Sequence, residues 1–215
     1  MQFRTWAGVV LMTIATSTFA EPPPVVRLPP PQIEGGKPLM QALKERHSTR
    51  EFSPEVLSPQ VLSNLLWAAA GVNRPATGQR TVPSARDWRE IDVYVARADG
   101  MYRYDAKANA LQPVVARDLR ALTGVQDFVA MAPVNLVYVA DFDRMEGAAA
   151  EQKEFYAAAD AGFIAQNVYL FCASANLATV VRGSVNRDTL AKAMGLAPHQ
   201  RIVLAQTVGY PAKKR

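Results

Sequence analysis

Residues 148–178 run without a proline, are rich in alanine, and carry Phe155, Ile164, Val168, Leu170, Phe171 and Leu177. Alanine is the strongest helix former, so the stretch predicts one long helix. Gly162 stands inside it, where helices normally avoid glycine, and is expected to allow close packing against another helix.

Shorter elements surround this helix. A first helix is expected over 38–46. A second follows Ser58, which can cap it, with Pro59 at its first position. Its apolar face is Val61, Leu62, Leu65, Leu66 and Ala69, and Gly71 can end it. Residues 73–89 read as a long polar loop, a kind usually tied to function. Strands are expected over 91–96, 134–140, 179–181 and 201–208. Asp99-Gly100 turns the first of them into a partner at 101–104. Helices are expected over 114–122, 125–130 and 187–194, the last ending at Gly195. Irregular interleaving of this kind reads as α+β with a mixed central sheet flanked by helices.

The domain is placed at 38–215. Ahead of it, 21–37 holds Pro22, Pro23, Pro24, Pro29, Pro30 and Pro31. This favours polyproline II without ladder hydrogen bonds, an extended arm or spacer that could wrap a partner subunit. Residues 1–20 read as a secretory signal. Arg4 precedes an uncharged run with an apolar centre, and small residues lead to a cut after Ala20. The run is too short to span a membrane comfortably, so no stable span is expected in the mature chain. An exported, periplasmic protein follows. No twin-arginine pair is present, which favours export before folding.

Charge excludes some partners. Lys+Arg 24 against Asp+Glu 19 gives 24 − 19 = +5, mildly basic and mixed. No basic stripe with interleaved aromatics occurs, so nucleic acid is not expected. One cysteine forbids an intrachain disulfide, and with two distant histidines makes no zinc site. Cys172, among apolar neighbours, reads as an inert buried thiol, and His199 as surface polarity. Gly-x-Gly and Gly-x-Ser-x-Gly are both absent, which removes the dinucleotide fingerprint and the hydrolase elbow. No carboxylates pair in a catalytic pattern. An enzyme built this way would lean on a cofactor.

One constellation remains. Arg46-His47-Ser48-Thr49-Arg50 puts two guanidiniums and two hydroxyls within five residues, a set that can hold a phosphate. Arg80-Thr81, Pro83-Ser84-Ala85, Val181-Arg182-Gly183 and Val208-Gly209-Tyr210-Pro211 follow in order, with Gly162, Gln166, Asn167 and Leu170 on the long helix.

In this order the motifs resemble the FMN-dependent nitroreductase family over about 38–215. The branch is that of the dehydrogenase components of thiazole- and oxazole-forming peptide synthetases. The resemblance implies an α+β homodimer, its long helix at the dimer interface and two shared FMN sites. Arg46, Ser48 and Arg50 would hold the phosphate and pyrimidine edge, with backbone contact from His47. Pro83, Ser84 and Ala85 would come from the partner and line the isoalloxazine. Val181, Arg182 and Gly183 would lie near N5, and Lys213 and Arg215 near the phosphate. Nitro-reducing relatives often carry an acidic residue where Arg182 stands. A guanidinium there would favour an anionic reduced flavin or bind an acidic substrate. The implied activity is ping-pong hydride transfer, with NAD(P)H as a candidate donor and a nitro, quinone or other small organic acceptor. The rivals are other flavin chemistry, such as dehydrogenation or flavin fragmentation, a non-catalytic flavin-binding scaffold, and an interaction module without flavin.

Overall fold

A computed structural model describes residues 24–213. The expected signal over 1–20 and the terminal Arg215 lie outside the described residues.

In chain order the elements are β1 (Val26–Arg27), α1 (Leu39–Glu45), α2 (Pro59–Ala70), β2 (Val72–Arg74), β3 (Gln79–Arg80), β4 (Ile91–Arg97), β5 (Gly100–Asp105) and β6 (Ala110–Val115). Then come α3 (Phe128–Met131), β7 (Val134–Asp141), α4 (Ala150–Ser174), β8 (Ala178–Arg182), α5 (Arg187–Met194) and β9 (Gln200–Gly209).

Seven strands form one sheet in the order β1-β6-β5-β4-β7-β9-β8. The α+β class holds, but the sheet is not mixed. Every pairing among the described residues is antiparallel. Hairpins supply β4–β5–β6, while the long returns through α4 and α5 bring β8 and β9 back in the opposite sense to their neighbours.

Both faces of the sheet are covered. Val93 and Val95 of β4, with Leu136 and Tyr138 of β7, pack beneath Leu65 and Leu66 of α2 and Ile164 and Val168 of α4. The alternate residues Tyr94, Val137 and Val139 pack on the other side with Leu190 of α5 and Leu119. Period-two alternation therefore feeds two cores, which is why the central strands read as unbroken apolar runs.

Caps follow the sequence. Ser58 accepts the Val61 N–H at 3.3 Å, and Asn186 caps α5 by accepting the Thr189 N–H. Gly195 ends α5 at φ 69°, left-handed backbone that glycine adopts without strain.

Three further expectations are corrected. Residues 114–122 are not a helix. β-branched Val114 and Val115 close strand β6, and only a 3₁₀ turn, Arg120–Leu122, follows. The helix expected over 125–130 shrinks to the single turn α3. The 73–89 loop is partly ordered as the β2–β3 hairpin and a 3₁₀ turn, Ala85–Asp87.

The proline-rich arm wraps its own chain. β1 pairs with β6, and the Pro29 carbonyl accepts from Ser63 Oγ at 2.6 Å and Asn109 Nδ2 at 2.8 Å. Its non-proline residues make ladder bonds that a continuous polyproline helix would lack. Among the described residues no helix is long and apolar enough to cross a membrane.

Candidate active site

The Arg46–Arg50 segment leaves α1 and docks on β8, an edge strand. The Thr49 N–H donates to the Thr179 carbonyl at 2.9 Å. Tyr169 of α4 completes the joint. Its hydroxyl lies 2.8 Å from Ser48 Oγ and accepts the Val181 N–H at 3.0 Å, and Arg46 lies over its ring at 5.2 Å. Thus Arg46, Ser48 and Val181, distant in sequence, meet at one phenol. His47 turns back, its Nδ1 2.7 Å from the Glu45 carbonyl oxygen. Gly183 is exposed just beyond β8.

The C-terminal segment adds charge to the same region. Phe52 bridges to Pro211, and the Ala212 N–H donates to the Glu51 carbonyl. Arg50 and Lys213 consequently line one cleft of about 570 Å³ with Phe52 and Phe128. Among the described residues Arg46, Arg50 and Lys213 make no ion pair. Unpaired cations with a hydroxyl between them fit a phosphomonoester.

Pro83, Ser84 and Ala85 lie elsewhere on α4. The Ala85 N–H donates to Asp160 Oδ2 at 2.9 Å. The Ser84 hydroxyl donates to Glu90 Oε2 at 3.2 Å and accepts the Arg89 N–H at 2.8 Å. Arg86, Asp87 and Arg89 have φ near +50°, a sparsely populated region for such residues. The loop is therefore held against strain by two buried carboxyl groups. Glu90 is 0 % and Asp160 3 % exposed, and Glu90 Oε1 has no partner. Burial, then the neighbouring Asp160 charge, pushes the Glu90 carboxyl above its usual range.

Arg182 departs from expectation. Its side chain is buried on the face of the sheet opposite α4, donating to the Thr123 carbonyl at 2.7 Å, Asn135 Oδ1 at 3.0 Å and Thr207 Oγ1 at 3.0 Å. Burial lowers its pKa to about 10. Gly124 makes room for it, because a Cβ there would overlap the guanidinium. The network leaves Nε without a partner, and the guanidinium lies 5.9 Å from the centre of the Phe128 ring.

Sequence reasoning missed Tyr169, Glu90 and Asp160. Tyr169 lies beside Asn167 and Leu170, which were marked. Asp160 has no local signal, since its partner Ala85 is 75 residues away, whereas Glu90 bonds Ser84 six residues before it, inside the segment already marked. Asn167, by contrast, ties α4 to the Ala68 carbonyl at 3.0 Å. Cys172 is fully buried and its thiol is pushed far up by burial, as expected for an inert thiol. His199 is not bland. It sits between Asp143 at 3.2 Å and Asp141 at 3.7 Å.

The described residues form an α+β fold on an antiparallel sheet, with a cleft in which Arg50 and Lys213 stand beside Glu51 and Asp127. The chain belongs to the nitroreductase family, whose sequence pattern it matches over residues 43–210. It is similar to a protein of Methanocaldococcus jannaschii named as a nitroreductase, 32 % identical over 164 residues, 72 % of this chain and 82 % of that one. A crystal structure from Ralstonia eutropha JMP134, also named as a nitroreductase, superposes with TM-score 0.85 at 49 % identity, covering 88 % of this chain and 90 % of that one.

Two further likenesses are of fold alone. A nitroreductase-named structure in complex with FMN from Desulfovibrio desulfuricans gives TM-score 0.60 at 22 % identity, covering 83 % of this chain and 89 % of that one. The E. coli microcin synthetase McbBCD complex gives 0.68 at 18 %, covering 97 % and 76 %.

Proposed function

We propose that the chain is an exported FMN-dependent oxidoreductase of nitroreductase type, acting as a homodimer. The observation that carries this reading is the cleft shared by Arg50 and Lys213, neither ion-paired among the described residues, at the end of the segment in which Arg46 and Ser48 meet Tyr169. Arg46, Arg50 and Lys213 neutralise the FMN phosphate, and Ser48, fixed by Tyr169, donates to it or to the ring edge. The FMN complex of a family relative supports the choice of ligand. When bound, FMN supplies a centre that accepts a hydride from a donor such as NAD(P)H and passes it to a nitro, quinone or other small organic acceptor. The chain's own residues bind, orient and exclude water. No side chain is assigned as proton donor.

Three observations support the dimer. Asp160 and Tyr169 are nine residues apart on α4, so the Pro83–Ala85 loop lies about 14 Å along the helix from the Ser48 joint. In this reading a second copy brings that loop to the flavin. Leu39 and Met40 of α1 and Phe155 and Phe163 of α4 are exposed apolar residues suited to covering by such a copy. Gly162, expected to permit close helix packing, meets nothing within 4 Å inside this chain, so any close approach there is also intermolecular.

Export rests on residues 1–20, and an unfolded route requires FMN to be acquired afterwards. Initial rates measured with NADH or NADPH and a quinone or nitroarene test the activity. Parallel double-reciprocal lines support the reading, and absent turnover with every donor–acceptor pair contradicts it.

A further inference from the structure

A second cleft, of about 600 Å³, lies between the proline-rich arm, the β2–β3 hairpin and the β5–β6 turn. It shares no lining residue with the Arg50–Lys213 cleft. Its size suits a one- or two-ring molecule.

The walls are fixed. Pro31 closes one side, and the carbonyls of Pro29 and Pro30 just before it are bonded by Ser63, Asn109 and Gln60. Trp67 of α2 forms another side, its indole N–H donating to the Val72 carbonyl at 3.2 Å. Tyr104 borders the floor and donates to Asn109 Oδ1 at 3.1 Å. The surroundings are thus aromatic and apolar, and their polar groups are mostly satisfied.

Arg80 and Lys107 are the exceptions, since neither side chain makes a hydrogen bond or an ion pair among the described residues. Arg80 is the less exposed of the two. Burial lowers its pKa. Arg89, in the same wall, already donates through Nε and Nη2 to Asp87. Asp92 acts on Arg80 only from beyond ion-pair distance, and a partly desolvated cation without a direct partner is a costly arrangement that an anionic ligand relieves. The guanidinium matches a carboxylate in plane and spacing.

We propose that this cleft binds a small aromatic monocarboxylate, its ring between Trp67 and Pro31 and its carboxylate on Arg80. Arg80 and Arg89 also line the space beside Pro83 and Ser84, which the flavin reading gives to the isoalloxazine, so FMN is a variable of the test. Calorimetric titration of the full chain with 2-naphthoate, 2-naphthamide and inorganic phosphate tests it, with and without FMN. Saturable naphthoate binding that quenches Trp67 emission is expected, with naphthamide and phosphate weaker by on the order of tenfold or more.

Arg80→Gln should weaken naphthoate by on the order of tenfold to a hundredfold with an unchanged melting temperature, and Arg80→Lys should fall between the two. If Arg80→Gln fails to fold, Arg80→Lys and the naphthamide comparison carry the test. Equal affinity for naphthamide, no effect of either Arg80 variant, or no saturable heat overturns the proposal. Displacement of naphthoate by FMN also overturns it, because the cleft would then belong to the flavin site. Naphthoate binding by protein that retains no FMN supports this site while contradicting the proposed function.

Discussion

Ser48 Oγ and the Tyr169 hydroxyl lie 2.8 Å apart, and the same hydroxyl accepts the Val181 N–H. One phenol therefore sets the distance between the Arg46–Arg50 segment and the edge strand that faces it. Tyr169→Phe keeps the ring beneath Arg46 but removes both bonds. The expected stability loss is about 1 kcal/mol, with FMN bound roughly tenfold more weakly. Urea unfolding and a fluorescence titration measure the two.

Arg182 and Gly124 make a second pair. Gly124→Ala forces the guanidinium out of its place and should lose about 1–3 kcal/mol. Arg182→Lys breaks the bonds to Thr123 and Asn135 with a similar loss. Both should leave FMN affinity within about threefold. A large affinity change with little stability change would return Arg182 to the flavin.

Glu90 gives stability a pH dependence. Its folded pKa is raised above the ordinary 4.5, chiefly by burial and then by Asp160. Between those two values the native state holds a proton that the unfolded chain has released. The contribution is therefore fully present below pH 4.5 and is lost as pH rises through the folded value. Glu90→Gln mimics the protonated form, so its stability should fall less than wild type on going from acid to neutral pH. Denaturant midpoints across that range decide it, and parallel pH profiles would contradict the assignment.

Asp160 tests the loop. Asp160→Ala leaves the Ala85 N–H without its acceptor, at a cost of about 1–3 kcal/mol. The strained positive-φ residues that follow should then relax. Trp88 stacks edge-on against Tyr156 with ring centroids 5.7 Å apart. Its emission should shift toward that of exposed indole in this variant.

Much of the fold was legible because it is local. The alanine-rich run gives α4, Ser58-Pro59 starts α2, and Gly195 ends α5, each through short-range propensity or capping. Residues 114–122 were misread because propensity could not reveal the β5 partner that draws Val114 and Val115 into a strand. Sheet direction was misread for the same reason, since it depends on the return path of distant segments. At the site, the Arg46–Arg50 cluster was visible as dense charge. Tyr169 acts through contacts more than 100 residues away in sequence with Ser48, and Arg182 looked like a ligand group because its partners Thr123, Asn135 and Thr207 are scattered.

The central claim is that the cleft shared by Arg50 and Lys213 holds FMN. Its most direct test is the visible absorption spectrum of the protein, incubated with excess FMN and then desalted, beside the Arg50→Ala variant. The account predicts flavin bands near one per chain in the wild type. In the variant it predicts affinity weakened by roughly tenfold to a hundredfold. No retained bands in the wild type, or equal affinity in the variant, would contradict it.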